Sequence, residues 1–413
     1  MWFVNNDTRV DLMSNSDQWL LPEGIEELLP PNAWRLECAR RELLDLFSCW
    51  GYELIIPPFI EYLESLLTGT GHDLDLQTFK LTDQLNGRMM GVRADMTPQA
   101  ARIDAHPLRR DTPSRLCYLG TVLHTRPDGF AGTRSPLQVG AELFGHGGIE
   151  SDVEILSLML ETLALMGITD VHMDLGHVGI FRGLAEEAAL EEPVETALFD
   201  ALQRKAVPEI MDLLAATTLD EAQRRRLAGL ADLNGGWEVL ELARERLAGA
   251  GRRVMVALDN LCAIATAMKQ RAGQASLYFD LAELRAYNYQ SGMVFAVFVP
   301  GRGQEIARGG RYDNIGQVFG RARPATGFST DLKTLMDLSP RDFGAPRGAI
   351  LAPAESDPAL LAWVRELRKD GVRVIFALPG QQGDALDMGC DRVIIRENAA
   401  WRLAPAASAV PGR

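Results

Sequence analysis

The chain has 413 residues, 47% of them apolar, with 56 acidic against 42 basic side chains and a formal net charge of -14. That length suits two or three domains with a sizeable core. The acidic balance argues against a general nucleic-acid or anionic-membrane binder, whose affinity rests on accumulated positive charge. Only five of the 42 basic residues are lysine, so the cations are mostly planar forks suited to carboxylates and phosphates.

Cys38, Cys49, Cys117, Cys262 and Cys390 are odd in number, far apart and without C-x-x-C spacing, which reads as reduced thiols in a cytoplasmic protein. The N-terminal residues lack a basic segment followed by an apolar one, so no secretion signal is expected. No apolar run approaches the about 20 residues that span a bilayer. The six histidines show no zinc-ligand spacing, and no metal is expected.

In chain order, residues 1–18 read as a flexible polar segment. Pro30-Pro31-Asn32 opens a helix whose apolar positions run from Trp34 to Phe47, and Gly51 ends it. Residues 52–60 read as a strand, with Pro57-Pro58 confining it to an edge or interface. Two extended pieces flank a turn at Gln84–Gly87, and Met96-Thr97-Pro98 starts a short helix with Thr97 as its natural cap. Strands are expected at 115–125 and 135–145, around a Gly/Arg/Pro loop at 126–134. A helix at 150–166 and a strand at 170–176 follow.

From about 180 to 255 the composition turns to Ala, Leu, Glu and Arg with helical periodicity, a helical insertion. Residues 254–260 are weakly strand-like, 276–280, 293–301 and 305–310 are better strands, and a helix follows at 331–337. PRDFGAPRG (340–348) reads as a linker, and 349–413 as a short α/β unit with a helix at 357–369, two or three strands and a loose tail. The order predicts an α+β fold, an antiparallel sheet flanked by helices, followed by the small α/β unit.

Four clusters stand out. Arg93-Ala-Asp95-Met-Thr97-Pro98 lies at a strand-to-helix junction, where Asp95 either holds a ligand ammonium or helps cap the helix. In Gln138-Val-Gly-Ala-Glu142, period two puts Gln138, Gly140 and Glu142 on one face. That face is either the floor of a small polar pocket or a solvated sheet face. Arg285-Ala-Tyr-Asn-Tyr289 offers an arginine beside two tyrosines, for a carboxylate and a planar ring or as a polar rim. Ala307-Arg-Gly309-Gly310-Arg-Tyr312-Asp313 lets backbone approach a ligand or turn tightly. No P-loop, dinucleotide fingerprint or nucleophile elbow accompanies them. The signals favour binding of a small zwitterion.

At these residues the sequence resembles the histidyl-tRNA synthetase family of class II aminoacyl-tRNA synthetases. Within that superfamily it is most similar to the regulatory-subunit paralogues of short-form ATP phosphoribosyltransferase. The resemblance covers roughly residues 20–337 through R-A-D-M-T-P, C-Y-L-G-T-V-L-H, Q-V-G-A-E-L-F-G, R-A-Y-N-Y, G-G-R-Y-D and T-G-F-S-T-D-L-K-T-L. It implies a synthetase-like domain over 19–339 and a truncated anticodon-binding-like domain over 349–413.

Carried over residue by residue, the resemblance implies a histidine site. Asp95 and Thr97 would lie near the α-amino group, Gln138 and Glu142 would line the pocket, and Arg285 would meet the carboxylate. Tyr312 with the Gly309-Gly310 backbone, and Tyr289, would lie at the imidazole end. Where the family has two adjacent tyrosines after an aspartate, this chain has Asn288-Tyr289-Gln290.

The departures concern ATP. The arginine that meets the α-phosphate is matched by His124, and a nearby glutamate by Arg126. The arginine stacked over adenine is matched by Thr334, and a neighbouring glycine by Asp331, so adenylation is expected to be absent.

The resemblance therefore implies a non-catalytic subunit without cofactor, in the first step of histidine biosynthesis. There the catalytic chain joins ATP and phosphoribosyl pyrophosphate. The expected assembly holds four regulatory and four catalytic chains, with a homodimer through the synthetase-like domain and histidine as allosteric ligand. No membrane is expected, and tRNA is not expected as a partner. The alternative is a divergent histidyl-tRNA synthetase or related ATP-dependent ligase.

Overall fold

The computed structural model describes residues 19–67, 72–127, 132–283, 289–344 and 348–406. Contacts divide the chain into one unit containing Ala39–Arg341 with the residues up to 28, and a second containing Leu29–Cys38 and the residues from Asp342 onward.

The first unit is built on nine strands of a mixed, mainly antiparallel sheet. In chain order the strands are β1 (Glu53–Leu54), β2 (Ile60–Tyr62), β3 (Lys80–Thr82), β4 (Met89–Val92), β5 (Ser114–Thr121), β6 (Leu137–Phe144), β7 (His172–His177), β8 (Asn234–Gly235), β9 (Ser276–Asp280), β10 (Met293–Phe298), β11 (Ala307–Arg311) and β12 (Ala325–Asp331). The large sheet runs β1-β5-β6-β12-β11-β10-β7-β9-β8, and β2-β4-β3 form a separate small sheet. This is the α+β architecture that the sequence predicts.

Alternation along β6 decides which face does what. Val139, Ala141 and Leu143 are buried on the face that receives the helix Ile149–Leu165. Gln138, Gly140 and Glu142 point the other way, together with their register neighbours Asp331, Ser329 and Gly327 of β12. A second cluster closes over part of that opposite face. Met96, at the cap of the helix Thr97–Ile103, and Ala100 and Ala101 within it pack with Leu116, Tyr118, Tyr312, Ile315 and Phe319.

Several local expectations are corrected. The strand expected over 52–60 is two short strands, because Pro57-Pro58 lack the N–H groups that a continuous ladder needs. Residues 254–260 lie wholly inside the helix Arg252–Met268, whose Val254, Leu258, Leu261 and Ala265 bury one stripe. Thr97 does not cap its helix: it is the first helical residue, Met96 stands at the cap without a side-chain bond, and the Asp95 carboxylate accepts the Thr97 N–H at 2.9 Å. The region 180–255 is helical except for β8, which pairs with β9.

In the second unit, β13 (Ala349–Ala352), β14 (Val374–Phe376), β15 (Cys390–Glu397) and β16 (Ala400–Pro405) form a four-stranded sheet ordered β14-β13-β15-β16. The helix Pro358–Lys369, capped by Asp357, covers it with Leu360 and Val364. Four strands replace the two or three expected, because the segment read as a loose tail is β16. It pairs antiparallel with β15 from Glu397↔Ala400 to Arg392↔Pro405. Asn398 and Ala399 adopt positive φ to make that turn, a place where the sequence carries no glycine to announce it.

Candidate functional site

The site begins where β6 crosses the start of the Thr97–Ile103 helix. Gln138 is held at both ends of its amide: its Nε2 donates to Asp95 Oδ1 at 2.7 Å, and its Oε1 accepts the Met96 N–H at 2.9 Å. Asp95 Oδ1 also accepts the Thr97 N–H. The Asp95 carboxylate is thereby fixed facing a cleft of ≈ 380 Å³, which Gln138 also lines. A fixed carboxylate facing a cleft can accept hydrogen bonds from an ammonium group.

Deeper on the same face lies a buried carboxyl. Glu142 is 1% exposed and receives two phenols, Tyr118 Oη to Oε1 at 2.8 Å and Tyr312 Oη to Oε2. Tyr118 spends its proton on Glu142, so the Thr97 hydroxyl, 3.0 Å away, donates to the Tyr118 oxygen. Burial pushes the Glu142 carboxyl up to about 8, against the opposing pull of the two phenol bonds. Tyr289 stacks on Tyr312 with ring centroids 5.1 Å apart, and its hydroxyl is buried without a partner.

Glycines make this crowding possible. A Cβ on Gly140 would lie 2.4 Å from the Tyr118 ring, and one on Gly327 would lie 1.6 Å from Glu142 Oε2. Gly309 backs onto the Gly327 carbonyl and Gly310 lies against the Gln290 amide. Arg311, between Gly310 and Tyr312, anchors this stretch. It is buried against Asp152 at 2.9 Å and also donates to Ser151 Oγ and the Gly148 carbonyl.

The structure thus joins Asp95, Thr97, Gln138, Glu142, Tyr289, Gly309, Gly310 and Tyr312 in one region, whereas Arg285 lies outside the described residues. Sequence reading missed Tyr118 as a site residue. Its signal was available, since a tyrosine at the middle of one strand and a glycine at the middle of the next are natural cross-strand neighbours, and Tyr118↔Gly140 is the register found.

The cleft continues from Asp95 past the positions read as departures from ATP chemistry. His124 lines it but donates Nε2–H to the Ala94 carbonyl at 2.9 Å. Thr334 Oγ donates to Asp331 Oδ2 at 2.9 Å, and Asp331 Oδ1 accepts the Leu137 N–H at 2.8 Å. Asp331 caps the helix Leu332–Leu338 through the N–H groups of Lys333 and Thr334. Arg126 is exposed and does not line the cleft. Arg302 and Arg308 do line it, as do Glu305, Asp331 and Asp95, and Arg308 pairs with Glu305 at 3.3 Å.

This sheet and pocket define a histidyl-tRNA synthetase-like body, and the histidyl-tRNA synthetase family model matches residues 24–335. A second model, the ATP phosphoribosyltransferase subunit HisZ C-terminal domain, matches 347–404. The ATP phosphoribosyltransferase regulatory subunit of Thioalkalivibrio sulfidiphilus is 64% identical over 94% of this chain and 98% of its own length. That of Pseudomonas syringae pv. syringae is 57% identical over 96% of this chain and 100% of its own. The chain belongs to the ATP phosphoribosyltransferase regulatory subunit family.

Among solved structures, an ATP phosphoribosyltransferase regulatory subunit/histidyl-tRNA synthetase from Bacillus halodurans aligns with TM-score 0.81 at 27% identity, over 91% of this chain and 97% of that one. A histidyl-tRNA synthetase from Nostoc sp. PCC 7120 shares the fold, with TM-score 0.71 at 18% identity over 92% of this chain and 91% of that one. Among the described residues no helix is long and apolar enough to cross a membrane.

Proposed function

We propose that this chain is the non-catalytic regulatory subunit of a short-form ATP phosphoribosyltransferase, and that free histidine bound between Asp95 and Glu142 is its feedback signal. The observation that carries this reading is the joining of an ammonium receptor, Asp95–Gln138, to a buried carboxyl–phenol cluster on one sheet face. The His124 and Thr334 side chains, at the two nucleotide positions, are engaged with the Ala94 carbonyl and Asp331.

In this reading Asp95, Thr97 and Gln138 take the α-amino end, and Arg285 takes the carboxylate. Glu142, Tyr289, Tyr312 and the Gly309-Gly310 backbone enclose the imidazole. No cofactor is required. Histidine shifts the activity of the complex only if it binds two assembly states unequally, because equal affinity shifts nothing.

The proposed assembly contains four regulatory and four catalytic chains in the cytoplasm, without tRNA. The regulatory chains pair through the apolar Leu54–Ile60 segment, where Ile56 is 84% exposed. The test is to mix the purified chain with the short catalytic subunit and assay phosphoribosyl-ATP formation with and without histidine. Dependence on this chain and inhibition by histidine are expected. Catalysis indifferent to the chain overturns the reading, and inhibition unchanged by Glu142→Ala removes the assigned pocket.

A further inference from the structure

We propose that the cleft beyond Asp95 is a peptide subsite: it admits histidine extended at its carboxyl end, with the new amide N–H on His124 and the terminal carboxylate on Arg308. The inference rests on the histidine reading above and enlarges the class of ligand that the site takes.

The cleft is roomier than an amino-acid head group needs. Its ≈ 380 Å³ is lined by Asp95, His124, Gln138, Arg308, Ser329 and Asp331 among others, whereas Glu142 and the tyrosines around it line none of it. A volume of this size lies within the range of sites that hold ligands well beyond a single amino acid. All of this room adjoins the ammonium end at Asp95.

Strand register gives its direction and length. Gln138, which donates to Asp95 at 2.7 Å, faces Asp331 across the β6–β12 ladder, and Arg308 faces Ser329 across β11–β12. Asp331 and Ser329 are two residues apart on β12, so these side chains share one face. Gln138 and Arg308 therefore stand two strand spacings apart, about 10 Å across the sheet. A free amino acid carries its ammonium and carboxylate on one carbon and cannot reach both ends. Each residue added moves the carboxylate about 3.5 Å further, and the long Arg308 side chain covers the remainder.

The charges at the far end suit a carboxylate. The Arg308 side chain is 58% exposed, and its pairing with Glu305 at 3.3 Å is of the weak, solvated kind. Arg302 lines the same cleft. The Asp331 oxygens are committed to the N–H groups of Leu137, Lys333 and Thr334 and to the Thr334 hydroxyl.

His124 supplies the observation that names the linkage. It is 7% exposed, lines the cleft, and has its Nδ1 buried without a hydrogen-bond partner. The Ala94 carbonyl can only accept, so Nε2 carries the ring proton and the neutral ring presents Nδ1 as an acceptor. A buried acceptor without a donor is unfavourable. A peptide N–H satisfies it, whereas a free carboxylate, an ester or a phosphate oxygen has no proton to offer.

The test is calorimetric titration of the full chain with L-histidine, L-histidyl-glycine, L-histidinamide and L-histidine methyl ester. Histidyl-glycine should compete with histidine for one site and bind at least as tightly. Histidinamide should bind about fivefold more tightly than the methyl ester, the difference one hydrogen bond makes. Arg308→Gln should lower the affinity for histidyl-glycine relative to histidine by about tenfold, and Arg308→Lys should restore most of that ratio. Histidyl-glycine that binds more weakly than histidine to the unaltered chain overturns the inference, as does an unchanged ratio in Arg308→Gln. Should Arg308→Gln not fold, equal binding of amide and ester by the unaltered chain overturns it equally. Binding of histidine without binding of the dipeptide sinks this inference alone, and binding of neither sinks the pocket reading with it.

Discussion

Tyr118 reaches Glu142 because Gly140, its partner across the β5–β6 ladder, has no side chain in the way. The ring passes over the glycine and delivers its hydroxyl to the buried carboxyl. Gly140→Ala places a methyl in that path, 2.4 Å from ring atoms. Overpacking of this kind costs about 1–3 kcal/mol. The variant should lose that much stability in denaturant titration and should lose histidine affinity in calorimetry.

Glu142 adds its own term to the pH dependence of the free chain. Its folded-state value of about 8 lies above its ordinary 4.5, so the folded protein holds a proton that the unfolded chain has released between those limits. The sign is fixed: stability contributed by this group is full below 4.5 and is lost as pH rises through about 8. Glu142→Gln should flatten the fall in unfolding free energy over that window, measured by urea titration at several pH values.

Ligand binding inherits the same proton. The free carboxyl holds one proton below about 8, while free imidazole gains one only below about 6.5. A carboxylate–imidazolium pair contains one proton in all, so histidine affinity should peak between these two values and decline on both sides. Glu142→Gln should abolish the alkaline limb in calorimetric titrations from pH 5.5 to 9.

Nucleotide should leave the protein unmoved. Histidine at about a hundred times its dissociation constant should stabilise the fold by about 2.7 kcal/mol, seen as a rise in Tm. ATP with magnesium should give no such rise. Histidine-dependent exchange between ATP and pyrophosphate should be absent. Exchange at a synthetase-like rate would place the chain among active ligases instead.

The Arg311–Asp152 pair is the stability anchor behind Tyr312. Both side chains are at most 8% exposed, and burial works against ionised Asp152 while Arg311 favours it. Removing one partner strands the other, which costs about 3–5 kcal/mol. Asp152→Ala should show a loss of that size in denaturant midpoint, accompanied by weaker histidine binding as the Gly310–Tyr312 stretch loosens.

Much of the sheet face was legible from period two alone. Gln138, Gly140 and Glu142 alternate with apolar neighbours, and the structure turns the polar set to one face, where Gln138 lines the cleft and Glu142 is buried. The junction at Asp95 was half legible: the carboxylate accepts the Thr97 N–H, the helix-supporting role that its place before the helix suggested, and it lines the cleft. Thr97 was misread as a cap because a threonine before proline is the usual cap pattern, whereas its hydroxyl is drawn to Tyr118. Local pattern could not reveal Arg311–Asp152, since partners 159 residues apart meet only through the completed sheet. Nor could it reveal β16, whose turn uses Asn398 and Ala399 at positive φ in place of glycine.

Asp331 serves two elements at once. Its carboxylate caps the helix Leu332–Leu338 and holds the first N–H of β6. Glycine at this position would remove a cap worth about 0.5–2 kcal/mol and leave the Leu137 N–H without its acceptor. One carboxylate thus fastens the start of a helix to the start of a strand nearly two hundred residues earlier in the chain, and a substitution there should loosen both together.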